Sequence, residues 1–136
     1  MVEMSGVYQG DFHCELSHAP SGAKISTDAP KDNMGRGEAF SPTDLVATAL
    51  GACMTTIMAI VAERHKIDLK GMKITVKKHM IDKPVRRIAK LEVHFRIPNV
   101  EKKYRILLEK AAKTCPVHQS LHPDVEKDIR FEWWEG

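Results

Sequence analysis

The chain is poor in cysteine, with three among 136 residues, and no two of them form a CxxC pair. That spacing excludes a zinc ribbon and a thioredoxin-type motif. The seven histidines show no metal-ligand spacing either, so no metal site is expected. Aromatics are scarce, at 6%, and the net charge is only +3. The nearest approach to a basic run is Lys77-Lys78 with Lys83 and Arg86-Arg87, and acidic residues interleave with it. Nucleic-acid binding is therefore not expected, and a solvated strand pair accounts for those charges. The first residues, Met1-Val2-Glu3-Met4-Ser5, have no basic stretch followed by an apolar one. No secretory signal is read there, and a cytoplasmic location is expected. In that reducing compartment, paired cysteines are more often catalytic than structural.

What is present describes an ordinary globular protein, with 43% apolar and 29% charged residues. The length predicts one domain over 1–136. One uncharged stretch, 45–62, is long enough to raise the question of a membrane span. Thr48, Thr55, Thr56, Gly51 and several alanines lie within it, and Asp44 and Glu63-Arg64 bracket it. A helix buried on all sides inside a protein reads the same way, and that is the expectation here. Ser41-Pro-Thr-Asp44 is a helix start, with a cap, a proline at the first position and an acid three residues on. The helix is expected to run to His65 or Lys66.

Around it, alternating patterns predict strands. Phe12, Cys14 and Leu16 share one face, which is read as inward. Further strands are predicted near 2–8, 23–27, 73–79, 88–97 and 128–134, and a second helix over 101–113. Tyr104, Leu107, Leu108, Ala111 and Ala112 form its apolar face. Strand pairs separated by single helices indicate an α+β fold with largely antiparallel sheets. An all-apolar helix needs partners on every face, which one small sheet does not supply. Wrapping sheets or a second subunit are implied.

The candidate chemistry centres on thiols. Cys53 lies in the apolar helix. Cys115 closes a charged segment and opens Cys115-Pro-Val-His118. A helix starting after Pro116 favours a thiolate at Cys115. His118 is near enough in sequence to serve that thiol. Cys14 reads as core. The loop 28–40 carries Arg36 and Glu38 among glycines, and loops on rigid scaffolds often hold functional side chains.

The stretch GRGEAFSPTDLVATALGACM over 35–54 resembles the OsmC/Ohr family, and so does CPVHQSL over 115–121. Similarity extends over nearly the whole chain, and within the family it is greatest to the OsmC-like branch. The resemblance implies an intertwined homodimer, with antiparallel sheets wrapped around long buried helices. It implies a stress-response peroxidase in which Cys53 is the peroxidatic cysteine and Cys115 the resolving one. Cys53 reduces an organic hydroperoxide and becomes a sulfenic acid. Cys115 closes a disulfide, and a dithiol reductant of lipoyl type reopens it. No other cofactor is implied. The family's arginine maps to Arg36, which is expected near Cys53 when its loop is closed. The family's catalytic glutamate directly follows the helix-starting proline, and here that position is Thr43. The nearest acids, Glu38 and Asp44, and His118 are the supporting candidates. The glutamate's absence favours a second reading, in which an OsmC-like protein binds a small apolar ligand or senses redox state without efficient peroxidase activity.

Overall fold

The alternating segments become two three-stranded sheets, and the uncharged stretch becomes one long helix. The structure, a computed structural model, describes residues 1–135. It contains two compact units, Met1–Val46 and Ala47–Gly136.

In the first unit, β1 (Met4–Tyr8), β2 (His13–His18) and β3 (Lys24–Asp28) form an antiparallel meander. Its registers pair Tyr8 with Cys14 and Cys14 with Thr27. Pro20-Ser21-Gly22 makes the second turn, where Gly22 has a φ of 75°. The expected inward face is corrected at its first residue. Phe12 lies in the turn before β2, with a φ of 59°, and is half exposed. Cys14 is only half-buried and lies outside the core. The reversal at 10–12 takes Phe12 out of the strand, so the period of two begins one residue later.

The helix α1 (Pro42–Arg64) starts as its sequence predicts. The Ser41 hydroxyl accepts the Asp44 amide, and the Asp44 carboxylate accepts the Ser41 amide, each at 3.0 Å. Two amides that the helix leaves without partners are thereby satisfied reciprocally.

In the second unit, β4 (Lys73–Ile81) and β5 (Arg87–Pro98) are antiparallel, while β6 (Glu126–Trp134) runs parallel to β5. This parallel pair departs from the antiparallel pattern of the rest. The chain between them carries α2 (Lys102–Ala112) and α3 (Pro116–Ser120), a helical crossover of the kind a parallel pairing requires. On α2, Leu108 and Ala112 are buried, but Leu107 is 41% exposed and drops out of the expected stripe.

The single chain covers one side of α1, and the expected cover of the other side by a second subunit is not part of it. Within the chain only one stripe is buried, namely Ala47, Leu50, Gly51, Met54, Met58 and Ala62, at helical spacing. It joins Leu91, Val93, Phe95 and Ile97 of β5 in one apolar core. By length and apolarity alone α1 could cross a membrane. Its stripe instead packs on the sheet. At Gly51 the approach is so close that a Cβ would lie 2.8 Å from Val76 Cγ2 and 3.1 Å from Ile74 Cγ2. The opposite face, including Val46 and Ile60, is exposed and remains apolar.

Candidate active site

Two residues after Gly51, α1 presents Cys53 half-buried. Cys115 is fully buried, at the point where the crossover turns from α2 into α3. Pro116 explains that turn, since it lacks an amide and sits at the first position of α3. Cys115 is the N-terminal cap of that helix, and its sulfur accepts the His118 amide at 3.2 Å.

The two thiols meet. Burial pushes the Cys115 thiol above its ordinary value. The amides of His118 and Val117 oppose that rise, and the neighbouring Cys53 thiol adds to it. Burial prevails over the amides, so Cys115 is held as a neutral thiol at neutral pH. All three cysteines are free thiols. The pair is thus asymmetric, with one thiol reachable from outside and the other sealed behind it. The His118 side chain is half-buried. Burial first, then the charges of Lys127 and Lys113, push its imidazole below the usual histidine range. Neutral His118 is therefore available as a proton acceptor.

The remaining sequence candidates lie in the first unit. Arg36 and Glu38 are exposed on the loop between β3 and α1. Thr43 is half-buried, with its hydroxyl 3.2 Å from that of Ser41, so it and Asp44 belong to the helix cap. The loop is tied to Asp28, a residue that the sequence reading missed. Asp28 is 2% exposed. Its carboxylate accepts His13 Nδ1 at 2.5 Å and the Glu38 amide at 3.1 Å. The His13 hydrogen bond holds its carboxyl below the usual range against the effect of burial, and the Arg36 charge acts in the same direction. The signal available in sequence was an acid ending a strand directly before a glycine-rich loop. Among the described residues no cluster of histidine, cysteine and acid side chains could hold a metal ion.

The OsmC-like protein family model matches residues 35–130, a span that contains both thiols. No curated protein matches the sequence. Among solved structures, a Psychrobacter arcticus protein named for osmotic stress induction and a detoxification response is 39% identical. The alignment covers 97% of this chain and 96% of that one, with a TM-score of 0.92. An organic hydroperoxide resistance protein OsmC from Legionella pneumophila aligns over 97% and 96% at 18% identity and a TM-score of 0.78. An organic hydroperoxide resistance protein from Elizabethkingia anophelis aligns over 97% and 95% at 18% identity and a TM-score of 0.77. The last two likenesses are of fold.

Proposed function

The chain belongs to the OsmC-like protein family, and from that premise we propose that it reduces organic hydroperoxides through Cys53 and Cys115. The observation that carries this reading is that the half-buried thiol of Cys53 lies near enough to the sealed thiol of Cys115 to help push it above its ordinary value. The Cys53 thiolate attacks the outer peroxide oxygen. The O–O bond breaks, and an alcohol leaves after protonation. Cys53 is then a sulfenic acid. Cys115 gives its proton to a base, for which neutral His118 is suited, and attacks the Cys53 sulfur. The S–O bond breaks, water leaves, and a disulfide remains. An external dithiol supplies the two electrons that reopen it. Burial of Cys115 favours this order, because a sealed neutral thiol meets the Cys53 sulfur before it meets solvent oxidants.

Peroxide consumption with dihydrolipoamide tests the proposal. Cys53→Ser should abolish turnover, while Cys115→Ser should allow one oxidation and no disulfide. Peptide mapping after mild organic peroxide should find Cys53 joined to Cys115 and Cys14 free. Turnover that survives Cys53→Ser would end this reading. In a separate measurement of alkylation rate against pH, an unchanged Cys53 profile in Arg36→Ala would remove the arginine from the mechanism.

The apolar outer face of α1 supports a homodimer as the working form. Sedimentation should show no stable monomer at micromolar concentration. A second reading, binding of an amphipathic ligand with an apolar chain, rests on a cleft of about 620 Å³ bordered by Ile67, Leu69 and Met72 and by the charged Glu63, Lys66, Asp68 and Lys70. That volume is in the range of ligand pockets. Saturable fatty-acid binding by a protein that consumes no peroxide would favour it.

A further inference from the structure

We propose that Lys127 is a positioning residue for the thiol pair: its half-buried ammonium keeps the His118 imidazole ready to take the Cys115 proton and hand it to the departing oxygen. This inference deepens the peroxidase reading and rests on it.

One charge stands in an apolar row. Lys127, Ile129, Phe131 and Trp133 share one face of β6. Their register partners on β5 are Leu91, Val93, Phe95 and Ile97, all buried. This is the core-facing row, and Lys127 alone among these residues is charged. A lysine is rarely turned inward without a partner, because its ammonium loses water there. Among the described residues no carboxylate pairs with it. Its ammonium instead donates to the Val125 carbonyl at 2.9 Å and to the His122 carbonyl at 3.4 Å. Both carbonyls belong to the turn that joins α3 to β6, which the Val125 amide closes onto the His122 carbonyl at 3.0 Å. The positive charge is thereby held beside α3 without a counter-charge.

The group it acts on there is His118. The ring is half-buried on α3, and the backbone amide of the same residue donates to the Cys115 sulfur at 3.2 Å. Burial first, then Lys127 of β6 and Lys113 at the end of α2, disfavour the charged form of the ring. Lys113 is exposed and screened by solvent, whereas Lys127 is half-buried and is the stronger of the two cations. Lys78, the partner of Leu91 on β4, is a further cation at this end of the sheet but does not act on the ring.

In the resolving step the ring takes the proton of Cys115 as that sulfur attacks Cys53. A cation beside the resulting imidazolium makes it a stronger acid. The proton then passes to the hydroxide leaving the Cys53 sulfur, and water departs. The S–S bond forms as the S–O bond breaks, and His118 ends neutral. Lys127 exchanges no proton and acts only through His118.

A lysine that merely staples the turn would do none of this, and two variants separate the roles. Lys127→Gln keeps a donor for the carbonyls without the charge, and Lys127→Arg keeps both. The first readout is the titration of the His118 ring protons by NMR in the reduced full chain, assigned with His118→Gln. Its midpoint should rise in Lys127→Gln and stay at the wild-type position in Lys127→Arg. The second readout is the rate of Cys53–Cys115 disulfide formation after cumene hydroperoxide, followed against pH by quenched alkylation and peptide mapping. Its acid limb should move to higher pH in Lys127→Gln, a several-fold loss of rate on the acid side of neutrality, while the first oxidation of Cys53 is unchanged. Lys127→Met, which suits an apolar row, is the second uncharged variant should glutamine perturb the turn, and it should give the same shift. The proposal is overturned by an unchanged His118 titration in the uncharged variants, by an equal rise in Lys127→Arg, or by an acid limb that stays in place while the titration moves. Those outcomes end this inference alone, whereas a wild-type protein that forms no Cys53–Cys115 disulfide would end the peroxidase reading and this inference with it.

Discussion

The two units bury opposite kinds of side chain. In the first, the buried polar residues are Thr27, Asp28 and Ser41, and the buried apolar core contains none of its side chains. In the second, the buried side chains are apolar, joined by the thiol of Cys115. Among the described residues each unit therefore holds one buried titratable group, and the two are displaced in opposite senses. Asp28 keeps its charge because His13 and the Glu38 amide replace the water it loses. Cys115 keeps its proton because two backbone amides do not make up for burial. Burial alone does not decide which form a group takes. The supply of hydrogen-bond donors decides it.

The contrast can be broken first where apolar packing carries the stability. Phe95 is fully buried and stacks on Phe131 with ring centres 5.3 Å apart. Phe95→Ala should cost about 3–5 kcal/mol, the range for emptying an aromatic site in a core. Denaturant unfolding measures this. A loss no larger than that of a surface substitution would mean that the second unit is not organised around this core.

A smaller effect is expected at the polar cap. Ser41→Ala removes the hydroxyl that accepts the Asp44 amide and should cost about 1 kcal/mol. Ser41→Asp, which restores an acceptor, should recover most of it. If it does not, the hydroxyl's value lies elsewhere than in capping.

The smallest effect is confined to acid. Asp28 sits below its ordinary value of 3.8, chiefly through the His13 hydrogen bond. A carboxyl whose folded value is lowered stabilises the fold above its unfolded value. That contribution is lost as the pH falls through the folded value. Wild-type stability should therefore decline below pH 3.8, and Asp28→Asn should flatten that part of the decline. Thermal unfolding followed against pH provides the check. Identical acid limbs would show that Asp28 is not the group responsible.

Much of this was legible in the residues. The cap at Ser41-Pro-Thr-Asp44 was readable because it is a local reciprocal pair of hydrogen bonds. The strands β4, β5 and β6 were readable because a half-buried strand alternates by geometry. The Cys53 and Cys115 motifs indicated the family, which the match over 35–130 bears out. The parallel pairing of β5 and β6 was not readable, since alternation gives a strand its faces but not its direction. The role of Asp28 was hidden for a similar reason. His13 lies fifteen positions away, and only the β2–β3 register pairs the two residues.

The sequence by itself determined where the helices begin, which segments are strands and which thiols carry the family's motifs, because those features follow from neighbours along the chain. Only the tertiary structure decided the rest. It set one face of α1 in a core and left the other bare, since an all-apolar helix carries no mark of which side will be covered. It made Cys53 the reachable thiol and Cys115 the sealed one, since burial depends on what packs from elsewhere in the chain. It also gave Asp28 and Cys115 opposite displacements, since these depend on donors brought in by folding and not on the residue itself.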